Sequence, residues 1–361
     1  MFQGLVLEHL AALVACDTQN PPRRIDGESD IFRYCSEQVG AGFDIQVSDH
    51  GDGHVSWFAV RGKPGVLFNV HLDTVPDGEG WSGDPRILAV RDGRAYGRGA
   101  CDIKGAAAVL LALAQQGKGD MALLFTSDEE GAGGCCVEKF LESGAAQPFG
   151  QVVVAEPTRC RAVLGHRGFL SVKTRFHGVP GHSSEARALR ENANHQMTQW
   201  AARALELAAE RKLADDDPGT CMNFGIVEGG SKSNVIAGHA FMHWSARLRP
   251  GESNDEFLHA VQACVPEGSK ADWEVPFRGE PLPAAGQGDR EARAFCESRR
   301  LPMGETVDFW TEASLFSAAG LPSIVLGPGD IAQAHVTDEW VGLDQLETAY
   351  ELYQRVVNSD G

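Results

Sequence analysis

Short apolar runs alternate with helical patterns over the first part of the chain. Runs at 66–70, 122–126 and 152–155 are rich in Val, Leu and Phe, and they predict buried strands. Residues 105–116 are rich in Ala and Leu and predict a helix. Apolar residues of segment 2–14 recur at helical spacing, which predicts a packed amphipathic helix and no signal peptide. Strands that alternate with helices in this way indicate a mostly parallel sheet.

The pattern changes after about residue 165 and later returns to that of the first part. Six segments in the middle of the chain predict strand, helix, strand, strand, helix and strand in turn: 169–177, 189–212, 222–227, 240–248, 254–264 and 271–277. The order β-α-β-β-α-β is that of a ferredoxin-like unit. Residues 323–326 predict a last strand, 343–357 a closing helix and 212–218 a solvated loop. We therefore predict an α/β protein with a mixed, mostly parallel sheet in one domain (1–164 and 278–361) and an inserted ferredoxin-like domain (165–277).

Composition narrows the class of protein. A chain of 361 residues exceeds what one core usually supports, which agrees with two domains. The formal net charge of −18 argues against nucleic acid or an anionic membrane as partner, because both require a basic face. No apolar run approaches membrane-spanning length, so we expect a soluble protein. Nine scattered cysteines without a Cys-x-x-Cys pair favour reduced thiols and a cytoplasmic location.

Acidic and imidazole side chains follow directly after several of the predicted strands. Open α/β sheets bind ligands in the crevice outside the carboxyl ends of their strands, so these side chains are expected to meet there. Carboxylate oxygens and imidazole nitrogens suit zinc, cobalt or manganese. Each piece alone has an ordinary explanation as a core histidine, a solvated turn or a helix cap, and the combination is what predicts a site. The candidates are His71, Asp73, Asp102, Glu129, Glu130, Glu156 and His335.

The number of ligands fits two metal ions that share a carboxylate. We assign His71 and Glu156 to one ion and Glu130 and His335 to the other, with Asp102 bridging them. Adjacent residues at a strand end point to different sides. One of the pair 129 and 130 can therefore bind metal while the other faces the bridging water as general base. Asp73, two residues after His71, can orient that imidazole.

These segments resemble a known family. Residues 71–76, 97–105, 126–130, 155–158 and 181–184 are similar to motifs of the co-catalytic metallopeptidase superfamily, and the resemblance covers essentially the whole chain. That superfamily includes acetylornithine deacetylase, succinyl-diaminopimelate desuccinylase and carboxypeptidase G. Three further stretches, 20–22, 308–313 and 326–339, resemble its branch of acetylornithine and acetylcitrulline deacetylases.

The resemblance implies roles for individual residues. Glu129 is the implied general base, and the inserted domain is implied to be a lid that forms a homodimer. His182 is implied to reach the partner's active site and stabilise the oxyanion there. Arg249 is the implied ligand of the substrate α-carboxylate, with the nearby Arg247 as the alternative. Arg247 is also a departure from the family, because relatives commonly carry an acidic residue at this position. Asn234 and Glu312 are implied to contact substrate, and a cis peptide bond is implied after Asp102.

The expected activity is hydrolysis of the acetyl group of N-acetyl-L-citrulline or N2-acetyl-L-ornithine in arginine biosynthesis, with two divalent ions, zinc first. The motif at 307–312 favours the citrulline form slightly. A dipeptidase, a carboxypeptidase or a desuccinylase of the same superfamily is the alternative enzyme. A small-ligand binding protein without catalysis is the alternative of another class. It predicts loss of a ligand or of the base, and the sequence retains all of them.

Overall fold

The computed structural model describes residues 2–131, 134–214 and 219–358. The chain divides into two compact units. The first comprises Met1–Gly165, Gln287–Thr306 and Thr311–Gly361, and the second comprises His166–Gly286 and Val307–Trp310. Residues 215–218 of the loop expected at 212–218 lie outside the described residues.

The elements predicted from the hydrophobic pattern are present in the predicted order, and the structure adds helices and strands that the pattern did not identify. Up to residue 154 they are α1 (Phe2–Ala15), α2 (Asp30–Gln38), β1 (Asp44–Asp49), β2 (Val55–Arg61), β3 (Val66–His71), β4 (Ala89–Arg91), β5 (Arg94–Tyr96), α3 (Lys104–Gln116), β6 (Met121–Thr126), α4 (Cys135–Glu142) and β7 (Gln151–Val154). The second unit contains β8 (Phe169–His177), β9 (Gly181–His182), α5 (Ala188–Glu191), α6 (Ala193–Glu210), β10 (Cys221–Gly229), β11 (Val235–Ile236), β12 (His239–Arg247), α7 (Asn254–Ala263) and β13 (Lys270–Gly279). The chain then forms α8 (Arg290–Ser298), α9 (Ala313–Ala318), β14 (Ser323–Val325), a 3-10 turn (Ile331–Gln333), β15 (Trp340–Gly342) and α10 (Leu343–Val357).

The first unit is built on a six-stranded sheet in the order β1-β2-β6-β3-β7-β14. Neighbours among β6, β3, β7 and β14 are parallel, and β2 pairs antiparallel with both β6 and the edge strand β1. Helix α3 is buried along most of its length, since its run of small and aliphatic residues packs between the sheet and its neighbours α1 and α10. The mixed, mostly parallel sheet predicted from the sequence is confirmed. Its parallel strands end at one edge, and that edge carries the candidate ligands.

A small three-stranded sheet, β15-β5-β4, was not predicted. Its strands have only three residues each, too few for an alternating pattern to be recognised. In the antiparallel pairing of β5 with β15, Tyr96 lies opposite Trp340. This register brings the loop that follows β5 against the residue that precedes β15.

The second unit has an antiparallel sheet in the order β10-β12-β8-β13, covered by α6 and α7. Strand order and connections confirm the predicted ferredoxin-like unit. The buried ring of Trp200 on α6 contacts Phe176 and Trp244 of the sheet and anchors the helix there. The single helix predicted at 189–212 is wrong in one detail. Asn192 has an extended backbone and separates α5 from α6, and its side chain accepts a hydrogen bond from the amide of Asn194.

The helices of the described residues were compared with the length and apolar character that a membrane span requires. Within 2–131, 134–214 and 219–358, no helix is both long enough and apolar enough to cross a bilayer.

Candidate metal centre

Five ligand-type side chains of the first unit converge at the carboxyl edge of its parallel strands. His71 ends β3, and its Nε2 lies 3.1 Å from Oδ1 of Asp102 and 3.7 Å from Oε1 of Glu156. His335 Nε2 lies 3.2 Å from Oδ2 of Asp102 and 2.8 Å from Oε1 of Glu130. The two oxygens of Asp102 therefore face different imidazoles. The structure brings together the five residues assigned to two ions, in the pairing that the assignment requires.

The donor set fits two divalent ions. Metal–ligand bonds of about 2.0–2.1 Å at tetrahedral angles place neighbouring ligand atoms about 3.3 Å apart, close to the 3.1 and 3.2 Å contacts of Asp102. Asp102 and Glu156 are 6% and 4% exposed. No lysine or arginine among the described residues forms an ion pair with either of them or with Glu130, so the histidines are their nearest cationic partners. Buried carboxylates in this number require positive charge, and divalent cations supply it.

The two imidazoles differ in exposure. The side chain of His71 is 2% exposed, whereas that of His335 is 48% exposed. His335 follows the 3-10 turn and has a positive φ of 58°. One half of the site is thus enclosed by the sheet, and the other half is closed by a surface loop.

The protein's own charges perturb the pKa values of these groups. Burial acts to lower the pKa of His71, but hydrogen bonds with Asp102 and Asp73 outweigh it and raise this pKa well above its usual value. Hydrogen bonds with Asp102 and Glu130 raise the pKa of His335 to about 10. Burial acts to raise the pKa of Asp102, but the two histidines hold it below its usual range. A metal ion requires neutral imidazoles, so it competes with protons for these nitrogens.

Asp73 organises the backbone around the site. Its buried Oδ2 accepts hydrogen bonds from the amide of Glu130 at 2.9 Å and from Nδ2 of Asn20 at 2.8 Å, and its Oδ1 accepts one from the amide of Glu129 at 3.2 Å. The Nδ1 of His71 lies closer to the backbone carbonyl of Asp73, at 3.0 Å, than to the carboxylate, at 3.5 Å. Asp73 therefore orients the imidazole mainly through its main chain.

Glu129 and Glu130 face different surroundings. Glu130 approaches His335, whereas the carboxylate of Glu129 forms no hydrogen bond or ion pair with any residue in the described part of the chain. Burial raises the pKa of Glu129 well above its usual value. A carboxylate with a raised pKa and no protein partner has the properties required of a general base.

Glu312 is buried beneath the same edge. Its Oε2 accepts a hydrogen bond of 3.0 Å from the hydroxyl of Thr126, and the residue is 1% exposed. Burial, reinforced by Asp128, raises the pKa of Glu312 to about 8. The role in substrate binding implied by the resemblance stays a prediction.

His182 and Asn234 are brought together in the second unit. Strands β9 and β11 pair with Val235 opposite His182, and the carbonyl of Asn234 accepts a hydrogen bond of 3.2 Å from the amide of Ser183. Both His182 and Asn234 are exposed. The Nδ1 of His182 contacts the hydroxyl of Ser184 at 2.7 Å and the amide of the same residue at 3.4 Å. Because an amide can only donate, Nδ1 acts as acceptor, and Nε2 of the neutral ring carries the hydrogen.

The two candidate arginines have different partners. The guanidinium of Arg249 contacts Oε1 of Glu252 at 3.0 Å and the carbonyl of Arg211. That of Arg247 lies over the ring of Phe169, 4.0 Å from its centroid. Glu252 therefore already neutralises Arg249, whereas Arg247 has an aromatic partner.

A second group of possible ligands lies elsewhere in the first unit and consists of His54, Asp128 and Cys136. Nδ1 of His54 contacts Asp128 at 2.7 Å, and the guanidinium of Arg23 lies against the same ring. Burial raises the pKa of the Cys136 thiol far above its usual value. A cation beside the imidazole and a protonated thiol do not favour metal, so we interpret this group as structural.

Sequence reasoning did not assign roles to Asn20, Arg98 and Glu339, although all three lie in motifs that carried the resemblance. The structure shows them as buried polar residues, 1%, 4% and 1% exposed, around the ligand loops. A polar residue beside Pro or Gly in a ligand motif is a signal that could have identified Asn20 and Arg98, whereas Glu339 stands beside neither residue type.

Comparisons with known proteins agree over nearly the full length of the chain. The model of peptidase family M20/M25/M40 matches residues 67–359. The chain is 46% identical over 359 residues to N-acetyl-L-citrulline deacetylase of Xanthomonas campestris pv. campestris. This alignment covers 98% of the present chain and 97% of that protein. It is 30% identical over 344 residues to acetylornithine deacetylase of Proteus mirabilis, in an alignment that covers 90% of this chain and 87% of that protein.

Solved structures with the same fold are more distant in sequence. Aminopeptidase PepT of Bacillus cereus superposes with a TM-score of 0.74 at 17% identity and covers 98% of both chains. An M20 family metallo-carboxypeptidase of Sulfolobus solfataricus has a TM-score of 0.68 at 15% identity, with 98% of both chains covered. These likenesses concern the fold alone.

Proposed function

Because the chain belongs to peptidase family M20/M25/M40, we propose that it is a metal-dependent amidohydrolase that deacetylates an N-acetyl-L-amino acid. N-acetyl-L-citrulline is the first substrate and N2-acetyl-L-ornithine the second, with acetate and the free amino acid as products of a step in arginine biosynthesis. The observation that carries the chemistry is the placement of Asp102 between His71 and His335. Full-length identity of 46% to an N-acetyl-L-citrulline deacetylase supports the substrate.

Two divalent ions complete the proposed site. His71, Asp102 and Glu156 would hold one ion, and Glu130, His335 and the shared Asp102 would hold the second. Zinc is the first choice and cobalt or manganese the next, since the donors are nitrogen and oxygen without thiolate. When bound, such ions would act as Lewis acids on the acetyl carbonyl and would lower the pKa of the attacking water.

Glu129 moves the proton in the proposed reaction. Its carboxylate accepts a proton from the attacking water, whose oxygen forms the new bond to the acetyl carbon. The same group then donates that proton to the amide nitrogen as the C–N bond breaks, which leaves acetate and the amine. Asp73 holds the amides of Glu129 and Glu130, so the base and the neighbouring ligand keep their separate directions.

His182 is proposed to stabilise the oxyanion from the partner subunit of a homodimer. Because Nδ1 accepts a hydrogen bond from Ser184, the Nε2–H of the ring is available to donate to the oxyanion. Removal of one such donor typically costs roughly 3–4 kcal/mol of transition-state stabilisation. Asn234, adjacent to His182 across β9 and β11, is proposed to line the same pocket.

Recognition of the substrate α-carboxylate is proposed to fall to one of two arginines. The resemblance favours Arg249, but Glu252 occupies its guanidinium. Arg247 has no carboxylate within ion-pair distance among the described residues, and its guanidinium stacks on Phe169. A planar fork held by an aromatic ring can form a two-point contact with a carboxylate, so the contacts favour Arg247.

Homodimerisation is proposed through β10, an edge strand of the second unit. Ile226 and Val227 on this strand are 46% and 56% exposed. The opposite edge, β13, exposes Lys270, Asp272 and Glu274 and contains Pro276, devices that prevent strand addition. A second copy of the chain is therefore expected at β10. Reduced cysteines, all nine free, support a cytoplasmic location.

The test is release of acetate and amine by protein reconstituted with zinc or cobalt, with both acetylated substrates compared at equal concentration. We expect turnover of acetylcitrulline in excess of acetylornithine, and none by a Glu129→Ala control. Cleavage of dipeptides in preference to both would transfer the proposal to the peptidases of the family. Two bound metals without hydrolysis of any of these compounds would contradict it.

A further inference from the structure

The carboxylate of Glu339 accepts hydrogen bonds from backbone amides of the loop that ends at Asp102, the proposed bridging residue. Its Oε1 accepts hydrogen bonds from the amides of Cys101 at 2.9 Å and Asp102 at 3.0 Å. Its Oε2 accepts one from the amide of Gly99 at 3.0 Å and one from Nη1 of Arg98 at 2.8 Å. The side chain is 1% exposed, so each of these bonds lies out of water. One carboxylate thus satisfies four donors within a loop of five residues.

Arg98 ties the same carboxylate to the loops of both histidine ligands. Its Nη2 donates to the carbonyls of Pro76 at 3.2 Å and Asp77 at 2.9 Å, in the segment that follows His71. Its Nη1 also reaches the carbonyl of Val336, at 3.5 Å. Val336 is the residue directly after His335. A rigid, five-donor guanidinium can make these contacts at once, whereas an ammonium group cannot.

The fold explains why these groups meet. Strand β5 leads into residues 97–102, and the partner strand β15 begins directly after Glu339. The amide of Gly97 donates to the carbonyl of Glu339 at 3.0 Å, which continues the pairing of β5 with β15 by one step. Gly99 has a φ of 79°, and a Cβ there would lie 2.8 Å from Thr74 and 2.9 Å from Lys104. The loop therefore passes too close to Thr74 and Lys104 at Gly99 for a side chain to fit without a shift.

We infer that Arg98 and Glu339 are positioning residues that hold the Asp102 carboxylate between the two imidazoles. The inference rests on the proposed metal centre and extends it, because neither residue contacts a ligand atom. Asp102 belongs to both halves of the site, so an error in its loop affects both ions. The contacts of Arg98 beside Pro76 and Val336 link the position of Asp102 to those of His71 and His335.

A purely structural ion pair would have a different signature. Such a pair would stabilise the first unit without influence on how tightly the folded protein binds metal. The pair formed by Arg98 and Glu339 instead makes three further hydrogen bonds to backbone amides of residues 99–102 and three to the segments beside the histidines. Substitution should therefore change metal affinity beyond any change in stability.

The decisive variant is Glu339→Gln, which keeps the shape and presents an amide NH₂ to two hydrogen-bond donors. Full-length protein is stripped with chelator and titrated with Co²⁺, and calorimetry and the visible absorption of cobalt are recorded. We expect an affinity loss of about 10- to 100-fold and an altered cobalt spectrum, as for other residues that orient metal ligands. The matched control is Asp338→Asn, because this neighbouring carboxylate is partly exposed and accepts hydrogen bonds from Ser82 instead of the Asp102 loop.

Two milder variants keep the test valid if Glu339→Gln does not fold. Glu339→Asp is shorter by one methylene, and Arg98→Lys keeps the charge but loses the fork. Both should lose metal affinity, to a smaller degree than Glu339→Gln. Wild-type cobalt affinity and spectrum in folded variants, with only a lower melting temperature, would overturn the inference and leave the proposed function intact. Failure of the wild-type protein to bind metal would overturn both.

Discussion

Glu129 and Glu130 show how much one step along the chain decides at the residue scale. Strand β6 ends at Thr126, and the following turn is held by two amide hydrogen bonds to Asp73. Glu130 then contacts His335, whereas the carboxylate of Glu129 has no hydrogen-bond or ion-pair partner in the described chain. Strand alternation predicted that the two residues point to different sides, but both lie in the turn after β6, where that rule does not apply. The amide contacts of Asp73 could not be predicted, since a sequence pattern contains no information on which buried carboxylate will receive them.

Glu129→Gln should remove turnover and retain metal. The amide has the shape of the carboxylate but cannot accept the water's proton, and general-base groups typically contribute about 10²–10⁴-fold. We expect kcat to fall by at least about 100-fold, with metal content and melting temperature close to wild type. Steady-state kinetics and metal analysis of the same preparation check this. Near-normal turnover would remove Glu129 from the proton-transfer role.

Arg247→Ala and Arg249→Ala should separate substrate recognition from folding. Loss of a charge-assisted contact to the α-carboxylate is worth about 1.5–3 kcal/mol, which corresponds to a kcat/KM roughly 10- to 100-fold lower. We expect this loss for Arg247→Ala. Arg249→Ala should mainly lower the melting temperature, because it leaves Glu252 with Arg211 as its one remaining cationic partner among the described residues. The reverse assignment of the two effects would restore Arg249 as the carboxylate ligand.

Glu312→Gln should change the pH dependence of stability. The pKa of Glu312 is about 8 in the fold and near 4.5 in the unfolded chain, so the unfolded chain releases this proton first. Its contribution to stability is present below pH 4.5 and declines as the pH rises through 8. Glutamine cannot ionise, so its free energy of unfolding does not decline in this way. Relative to wild type, the free energy of unfolding of the variant should therefore rise by up to a few kcal/mol over this range, at about 1.4 kcal/mol per pKa unit. Chemical denaturation of chelator-treated protein at pH 5, 7 and 9 measures the difference. An exposed glutamate, Glu138→Gln, is the control, and a constant difference across this range would contradict the prediction.

At the scale of elements, prediction from sequence succeeded where an element has a long, clear pattern. The buried strands β3, β6 and β7, the helices α3 and α10, and the order of the ferredoxin-like unit all follow from apolar periodicity. The two- and three-residue strands β4, β5, β9, β11 and β15 do not, because pairing with distant segments creates them. The break at Asn192 was missed for a related reason, since the residues on both sides of it favour a helix. Short elements of this kind hold the Asp102 loop and His182.

The edge strand β10 should be the contact that forms the dimer. Ile226→Lys with Val227→Lys places two charges on an edge that otherwise accepts a partner strand, and buried unpaired charge opposes association. We expect a monomer by sedimentation at micromolar concentration, with the fold retained by circular dichroism. Asp272→Lys introduces the same side chain on β13 and should leave the dimer unchanged. A dimer that survives the β10 substitutions would place the interface elsewhere.

At the scale of the whole molecule, the proposal makes each active site depend on two chains. His182→Ala and Glu129→Ala should each be inactive alone. After subunit exchange in equal amounts, half of the dimers should be mixed, and each mixed dimer has one site with both residues intact. We therefore expect about one quarter of wild-type activity from the mixture. Assay before and after exchange measures it, and no recovery would indicate that His182 acts within its own chain.

The unequal exposure of the two imidazoles has a consequence for supply and turnover of the ions. His71 is buried beside the sheet, whereas His335 lies on a surface loop and is half exposed. An ion bound by His335 would therefore have the shorter route to the solvent. We expect a chelator to remove it first and a different metal in solution to replace it first. A preparation exposed to two metals in succession would then keep the first beside His71 and hold the second beside His335. The metal beside His71 would then be the one that was available when the protein folded.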